Sequence, residues 1–151
     1  MTAPDELLTI ERVAVLQRVS LFASVPGHTL VAVARLLEEV RVRPGDVVIE
    51  RGAIEEWLFV VAEGRVKAQI GDEVLDEAGP GDVVGELAVL SPAARSATVI
   101  ALEPTLLLRL RRGPFDELLD DRADVARAVI SELARRLQRL ANERAGAAPG
   151  G

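Results

Sequence analysis

The sequence predicts an α+β domain in which an antiparallel β sandwich or barrel is entered and left through helices. Residues 39–112 hold short apolar stretches at even spacing, with no predicted helix between them long enough for a crossover. Outside that window, before 39 and after 113, apolar residues recur at helical spacing instead. The 151 residues are 49% hydrophobic but only 3% aromatic, so one aliphatic core of Val, Leu, Ile and Ala is expected.

The N-terminal segment, 1–38, carries Leu7, Leu8, Ile10, Val13, Leu16 and Val19, which predict an amphipathic helix over 5–19. Ser24 and Pro26 are helix-start residues, and Leu30, Val33, Ala34 and Leu37 continue a second helix to about 38. In the β region the predicted strands are 47–49, 58–61, 66–70, 97–100 and 106–108, punctuated by Gly45, Gly52, Gly64, Gly71, Gly79 and Gly81. One stretch, 85–90, breaks this pattern, being a run of helix formers sufficient for a single turn between two strands. From 113 to 144 the chain is helical again, with Pro114 opening a helix and a longer one over 122–143. Along the latter, Ala123, Ala126, Ile130, Leu133, Leu137 and Leu140 form one seam, read as a core face, with pairing to a second copy as the alternative. Residues 145–151 read as a disordered tail, His28 as a surface residue and Trp57 as half-buried packing.

Composition removes several function classes. A net charge of −6 argues against a general polyanion surface, although 17 of the 18 basic residues are Arg. With no Cys and a single His, disulfides, thiolate chemistry, a His-dependent triad and Cys/His zinc sites are excluded. The same single His argues against a jelly-roll metal oxygenase, so no metal, cofactor or enzymatic activity is expected. No basic, apolar leader and no apolar run of membrane length is present, so the expectation is a cytoplasmic domain without membrane insertion.

The break at 85–90 also holds the chemistry. The first N–H groups of a helical turn have no intrahelical partner and suit a single phosphate, and Gly85 lets a ligand approach without a Cβ in the way. Arg95, nine residues beyond Glu86, supplies a planar fork for two charge-assisted bonds to that phosphate. Glu86 can only accept, so it needs a donor such as a ribose 2′-hydroxyl. Asp72, Glu73, Asp76, Glu77, Asp82 and Glu86 precede Arg95 with no base among them, which makes Arg95 the fixed positive charge of the stretch. A phosphate held close to a ribose describes a cyclic mononucleotide.

Gly85-Glu86-Leu87-Ala88, followed after a short gap by Arg95-Ser96-Ala97-Thr98, resembles the phosphate-binding cassette of the cyclic-nucleotide-binding domain family. Val19-Ser20-Leu21-Phe22, Pro44-Gly45-Asp46, Gly52, Leu58-Phe59 and Glu63-Gly64 extend the likeness over most of the chain. The resemblance implies an antiparallel jelly roll, or β-roll, over 39–112, with N-terminal helices, a short phosphate-binding helix in a cassette at 84–98, and hinge and lid helices over 113–144. It implies cAMP or cGMP as ligand. Glu86 would take the ribose 2′-OH and Arg95 the phosphate, while Val84, Gly85, Leu87, Ala88, Ser96 and Ala97 would line the site. Arg136 and Leu140 would reach it from the lid.

The chain departs from the catabolite activator members of that family at two places. Leu140 and Ala141 stand where polar residues contact adenine, so they can cover a base without reading it, and Ser96 in place of Thr disfavours cGMP by analogy. The chain also stops soon after the lid helix, so no DNA-reading element and no nucleic-acid partner is expected. The expected function is a sensor that passes lid closure to an attached or partner protein. The alternative is the same fold without nucleotide binding, acting as a protein-interaction module.

Overall fold

A computed structural model describes residues 7–85, 89–90 and 93–147. Two short helices, α1 (Thr9–Leu16) and α2 (Gly27–Ala34), flank a single 3-10 turn at Ser20–Phe22. Strands β1 (Glu38–Val42), β2 (Val47–Ile49), β3 (Ile54–Glu55), β4 (Trp57–Glu63), β5 (Val66–Ile70) and β6 (Glu73–Ala78) follow. After them come β7 (Val83–Val84), β8 (Ala93–Ala94), β9 (Thr98–Ala101) and β10 (Thr105–Arg111), then α3 (Arg112–Asp121) and α4 (Ala123–Ala147).

The strands form two four-stranded antiparallel sheets, β1-β10-β4-β7 and β2-β9-β5-β6, with β3 and β8 as a separate ribbon. Strand order mixes early and late segments, so the chain closes on itself as a β-roll. Between the sheets lie Ile49, Phe59, Val61, Val66, Val99, Ala101 and Leu107. On the outer face of the first sheet, Leu58, Val60, Leu108 and Leu110 meet a second core from the helices, built on Leu16, Leu30, Phe22, Phe115, Val125 and Val129. Phe22 and Phe115 meet edge to face at 6.0 Å, a favoured aromatic geometry. Because β4 and β10 are covered on both faces, their sequences are continuous apolar runs rather than alternating ones.

Several boundaries differ from the sequence expectation. Helix α1 covers only Thr9–Leu16, where the Glu11 carboxylate accepts the N–H of Leu8 at 3.0 Å, and Leu8 and Ile10 face outward. The second helix ends at Ala34, and Glu38 begins β1 and pairs with Arg109 and Arg111 of β10. Helix α3 starts at Arg112, two residues before Pro114, which sits in the first turn where its missing N–H leaves no bond unmade. Helix α4 runs to Ala147, into the expected tail, since Ala145 and Ala147 are strong helix formers.

The largest correction concerns the α4 seam. The inward face is Val125, Val129 and Glu132, whereas Ile130, Leu137 and Leu140 are 62%, 69% and 60% exposed. Helical spacing locates a stripe but not which neighbour it meets, and three arginines around Glu132 make a carboxylate tolerable on the inner face.

Candidate functional site

Arg95 lies between β8 and β9 and is 8% exposed. Its backbone is fixed on both sides: its N–H donates to the Ala53 carbonyl at 2.9 Å and its carbonyl accepts from Gly52 at 2.8 Å. Its guanidinium Nη2 donates to the carbonyl of Trp57 at the start of β4. The other face of the fork packs on Gly85, whose φ is +72°. A Cβ there would stand 2.0 Å from Arg95 Nη1 and 2.7 Å from Cζ, so only glycine leaves the guanidinium where it is. Gly85 therefore has a second reason to be glycine beyond admitting a ligand: it seats the arginine.

One step before Gly85, Val84 lines a cavity of about 260 Å³ with Val66, Ala68, Asp76, Glu77, Ala78, Asp82 and Val83. Its walls are β5, β6 and β7, and its surface is aliphatic with three carboxylates. Two of these are tied down: Glu77 pairs with Arg65 at 3.2 Å, and Asp82 accepts the N–H of Gly79 at 2.9 Å. The structure thus brings Val84, Gly85 and Arg95 together at one end of a concave wall that mixes small aliphatic side chains with carboxylates. A small planar ligand with one anionic group fits such a place.

The other sequence-predicted residues divide. Ser96 and Ala97 follow Arg95 into β9, Ser96 exposed and Ala97 half-buried. Glu86, Leu87 and Ala88, half of the turn expected at 85–90, lie outside the described residues. Arg136 does not line the cavity; it reaches Glu132 at 3.7 Å and donates to Ser20 Oγ. Leu140 lies on the exposed side of α4, also away from the cavity.

The sequence profile of the family described as "Cyclic nucleotide-binding domain" matches residues 39–122, more than half of the chain. The chain belongs to that family. Its fold is similar to that of the N-terminal domain of a transcriptional regulator from Streptomyces coelicolor A3(2), with a TM-score of 0.82 and 32% identity, covering 91% of this chain and 99% of that one. It is also similar to the regulatory domain of Toxoplasma gondii PKA in co-crystal with cAMP, with a TM-score of 0.68 and 29% identity over 76% of this chain and 46% of that one. Among curated proteins, the Pycsar effector protein XpPycTIR of Xanthomonas perforans is 33% identical over 112 residues. Those residues are 74% of this chain but 36% of that protein, so the chain spans about a third of the relative's length.

Within this cyclic nucleotide-binding domain, the cavity-lining Val66, Ala68 and Asp76 were not singled out as site residues from sequence, because only the strand pairing brings β5 and β6 against Val84. The lid candidate α4 is anchored by Glu132, which is 4% exposed and is surrounded by Arg135, Arg136 and Arg139 at 3.3, 3.7 and 3.6 Å. Arg135 and Arg136 also donate to Ser24 and Ser20, joining α4 to the 3-10 turn and the chain just after it. Among the described residues no helix is long and apolar enough to cross a membrane, and no group of His, Cys, Asp and Glu could hold a metal ion.

Proposed function

We propose that this domain is a non-catalytic sensor of a cyclic nucleotide, cAMP or cGMP, acting in the cytoplasm. The observation that carries the reading is the buried Arg95 fork seated on Gly85, at the end of the cavity that Val84 lines. A guanidinium has five donors, enough to serve the Trp57 carbonyl and a phosphate together. In this reading Arg95 takes the cyclic phosphate, with the backbone amides around Leu87, Ala88 and Ser96 and the Ser96 hydroxyl adding donors. Glu86 accepts the ribose 2′-hydroxyl, and Val84 and Ala97 border the ring. The base extends over the aliphatic wall of β5 and β6.

The output runs through α4. Ligand favours the arrangement in which the helix closes over the base, and the Glu132–Arg136–Ser20 contacts are the element whose equilibrium is biased. The exposed Ile130, Leu137 and Leu140 lie three and seven residues apart on one face, which supports a homodimer through α4 as the partner contact. Calorimetry with cAMP and cGMP tests the proposal. It predicts micromolar or tighter binding of at least one of them, largely lost in Arg95→Ala. No heat with either nucleotide, from a protein that unfolds cooperatively, would leave the interaction-module reading instead.

A further inference from the structure

The cavity wall carries one polar group whose place suggests a second task. Strand β6 pairs with β5 so that Ala78 faces Val66 and Asp76 faces Ala68, and all four line the cavity. Beyond Ala68 the register slips, with Val74 opposite Gln69, so Asp76 stands at the irregularity. Its Oδ1 accepts the N–H of Glu77 at 2.8 Å, which orients the carboxylate, while Oδ2 takes no hydrogen bond among the described residues. No cation pairs with it there, in contrast to Glu77, which Arg65 neutralises.

Its distance from the phosphate end follows from the sheet. In the order β2-β9-β5-β6, Asp76 lies two strands from β9, about 10 Å sideways, and level with Val99, four residues or about 13 Å further along the chain than Arg95. A nucleotide held by its phosphate at Arg95 and lying along this wall therefore presents its base, not its sugar, to Asp76. The edge pointing away from the ribose is the Watson–Crick edge.

Resting on the sensor reading above, we propose that Asp76 selects the base, and that the base it selects is guanine. An ionised carboxylate only accepts. Guanine offers two adjacent donors on that edge, N1–H and N2–H, which a carboxylate can take side by side. Adenine offers one amino group beside a repelling N1 lone pair, and cytosine likewise one beside N3. Uracil's single N3–H lies between two carbonyl oxygens. The small side chains of Ala68 and Ala78 leave room for a flat ring beside the carboxylate. The Ser96 hydroxyl, exposed in the structure, offers at most one bond to any base against these two charge-assisted ones, so the carboxylate outweighs the analogy that disfavours cGMP.

Calorimetry on the full chain with cGMP, cAMP and cyclic inosine monophosphate, which lacks the 2-amino group, tests this directly. The wild type should bind cGMP about tenfold or more tightly than cAMP, with the inosine nucleotide between them. Asp76 is exposed on a surface strand, so Asp76→Ala and Asp76→Asn should fold, as a thermal melt would check. Both should bring cGMP close to cAMP while leaving cAMP affinity unchanged or slightly raised. The inference is overturned if the wild type favours cAMP, or if Asp76→Ala weakens all three nucleotides by one factor. Failure of the wild type to bind any cyclic nucleotide would instead overturn the sensor reading on which this one stands.

Discussion

Replacing Gly85 with alanine separates the seat of the arginine from ordinary backbone strain. The added Cβ would meet Arg95 Nη1 at 2.0 Å, Cζ at 2.7 Å and Nη2 at 3.0 Å. A guanidinium is the far end of a flexible side chain and would normally swing aside at little cost. Here it is buried and tied to the Trp57 carbonyl, so moving it breaks a charge-assisted bond worth about 2 kcal/mol. The φ of +72° adds about 1 kcal/mol for any residue with a Cβ. The sum, about 3 kcal/mol, should lower Tm by roughly 6–12 °C at this chain length. Gly45→Ala is the control, with a φ of +88° and nothing within 4 Å of its Cβ, so strain alone applies, at about 1 kcal/mol or roughly 2–4 °C. In calorimetry, Gly85→Ala should lose nucleotide affinity by roughly a hundredfold, as two displaced charge-assisted bonds of about 1.5 kcal/mol each would cost. Gly45→Ala should keep wild-type affinity. Equal melting and equal affinity for the two variants would refute the argument that Gly85 exists to seat Arg95.

Glu132→Ala removes the buried carboxylate that gathers Arg135, Arg136 and Arg139; because those arginines are partly solvated, urea unfolding should show a loss of about 1–3 kcal/mol rather than the full cost of breaking a buried pair. A hydrogen bond from Arg109, helped by Arg111, holds the Glu38 carboxyl below its usual range. Its contribution to stability is therefore present above the unfolded-chain value and fades as pH falls through the lowered folded one, so the gap between wild type and Glu38→Gln in acid melts should close in that window and stay constant above it. The proposed α4 pairing predicts a wild type that sediments as a dimer and a double variant Leu137→Glu/Leu140→Glu that sediments as a monomer, with an unchanged Tm extrapolated to low concentration, since neither side chain is buried in the single chain.

How much of this was legible in the sequence varied with burial. Strands β4 and β10 are apolar throughout because both faces are covered, and their runs at Leu58–Val61 and Leu106–Leu108 announced them. Strand β6, Glu73–Ala78, is exposed almost throughout and carries three acids, so no alternation marks it; with it Asp76 stayed hidden as a wall residue. Strand β1 has charged residues at Glu38, Glu39 and Arg41, and after Leu36 and Leu37 it reads as the tail of a helix. Gly85 and Arg95 stood out because a glycine and an arginine flank a break in strand grammar, although the packing of one on the other needed coordinates. For α4 the spacing was right and the face was wrong: hydrophobic periodicity records what a helix can bury, while Val125, Val129 and the ion-paired Glu132 record what this one does bury within a single chain.

Trp57 is the one tryptophan in the chain, and its place gives the protein a built-in optical gauge. Its carbonyl holds Arg95, and its ring lies under the guanidinium carbons of Arg109 and Arg111 at 5.6 and 5.9 Å from the centroid. Those two arginines sit on β10 and reach Glu38 on β1. Any event that redraws the bonds of Arg95 acts on the very peptide unit that carries the indole. Any loosening of the sheet edge changes the charge above its ring. The emission of this single fluorophore thus reads both ends of that chain of contacts without a label, one from the ligand cradle and the other from the frame that holds it.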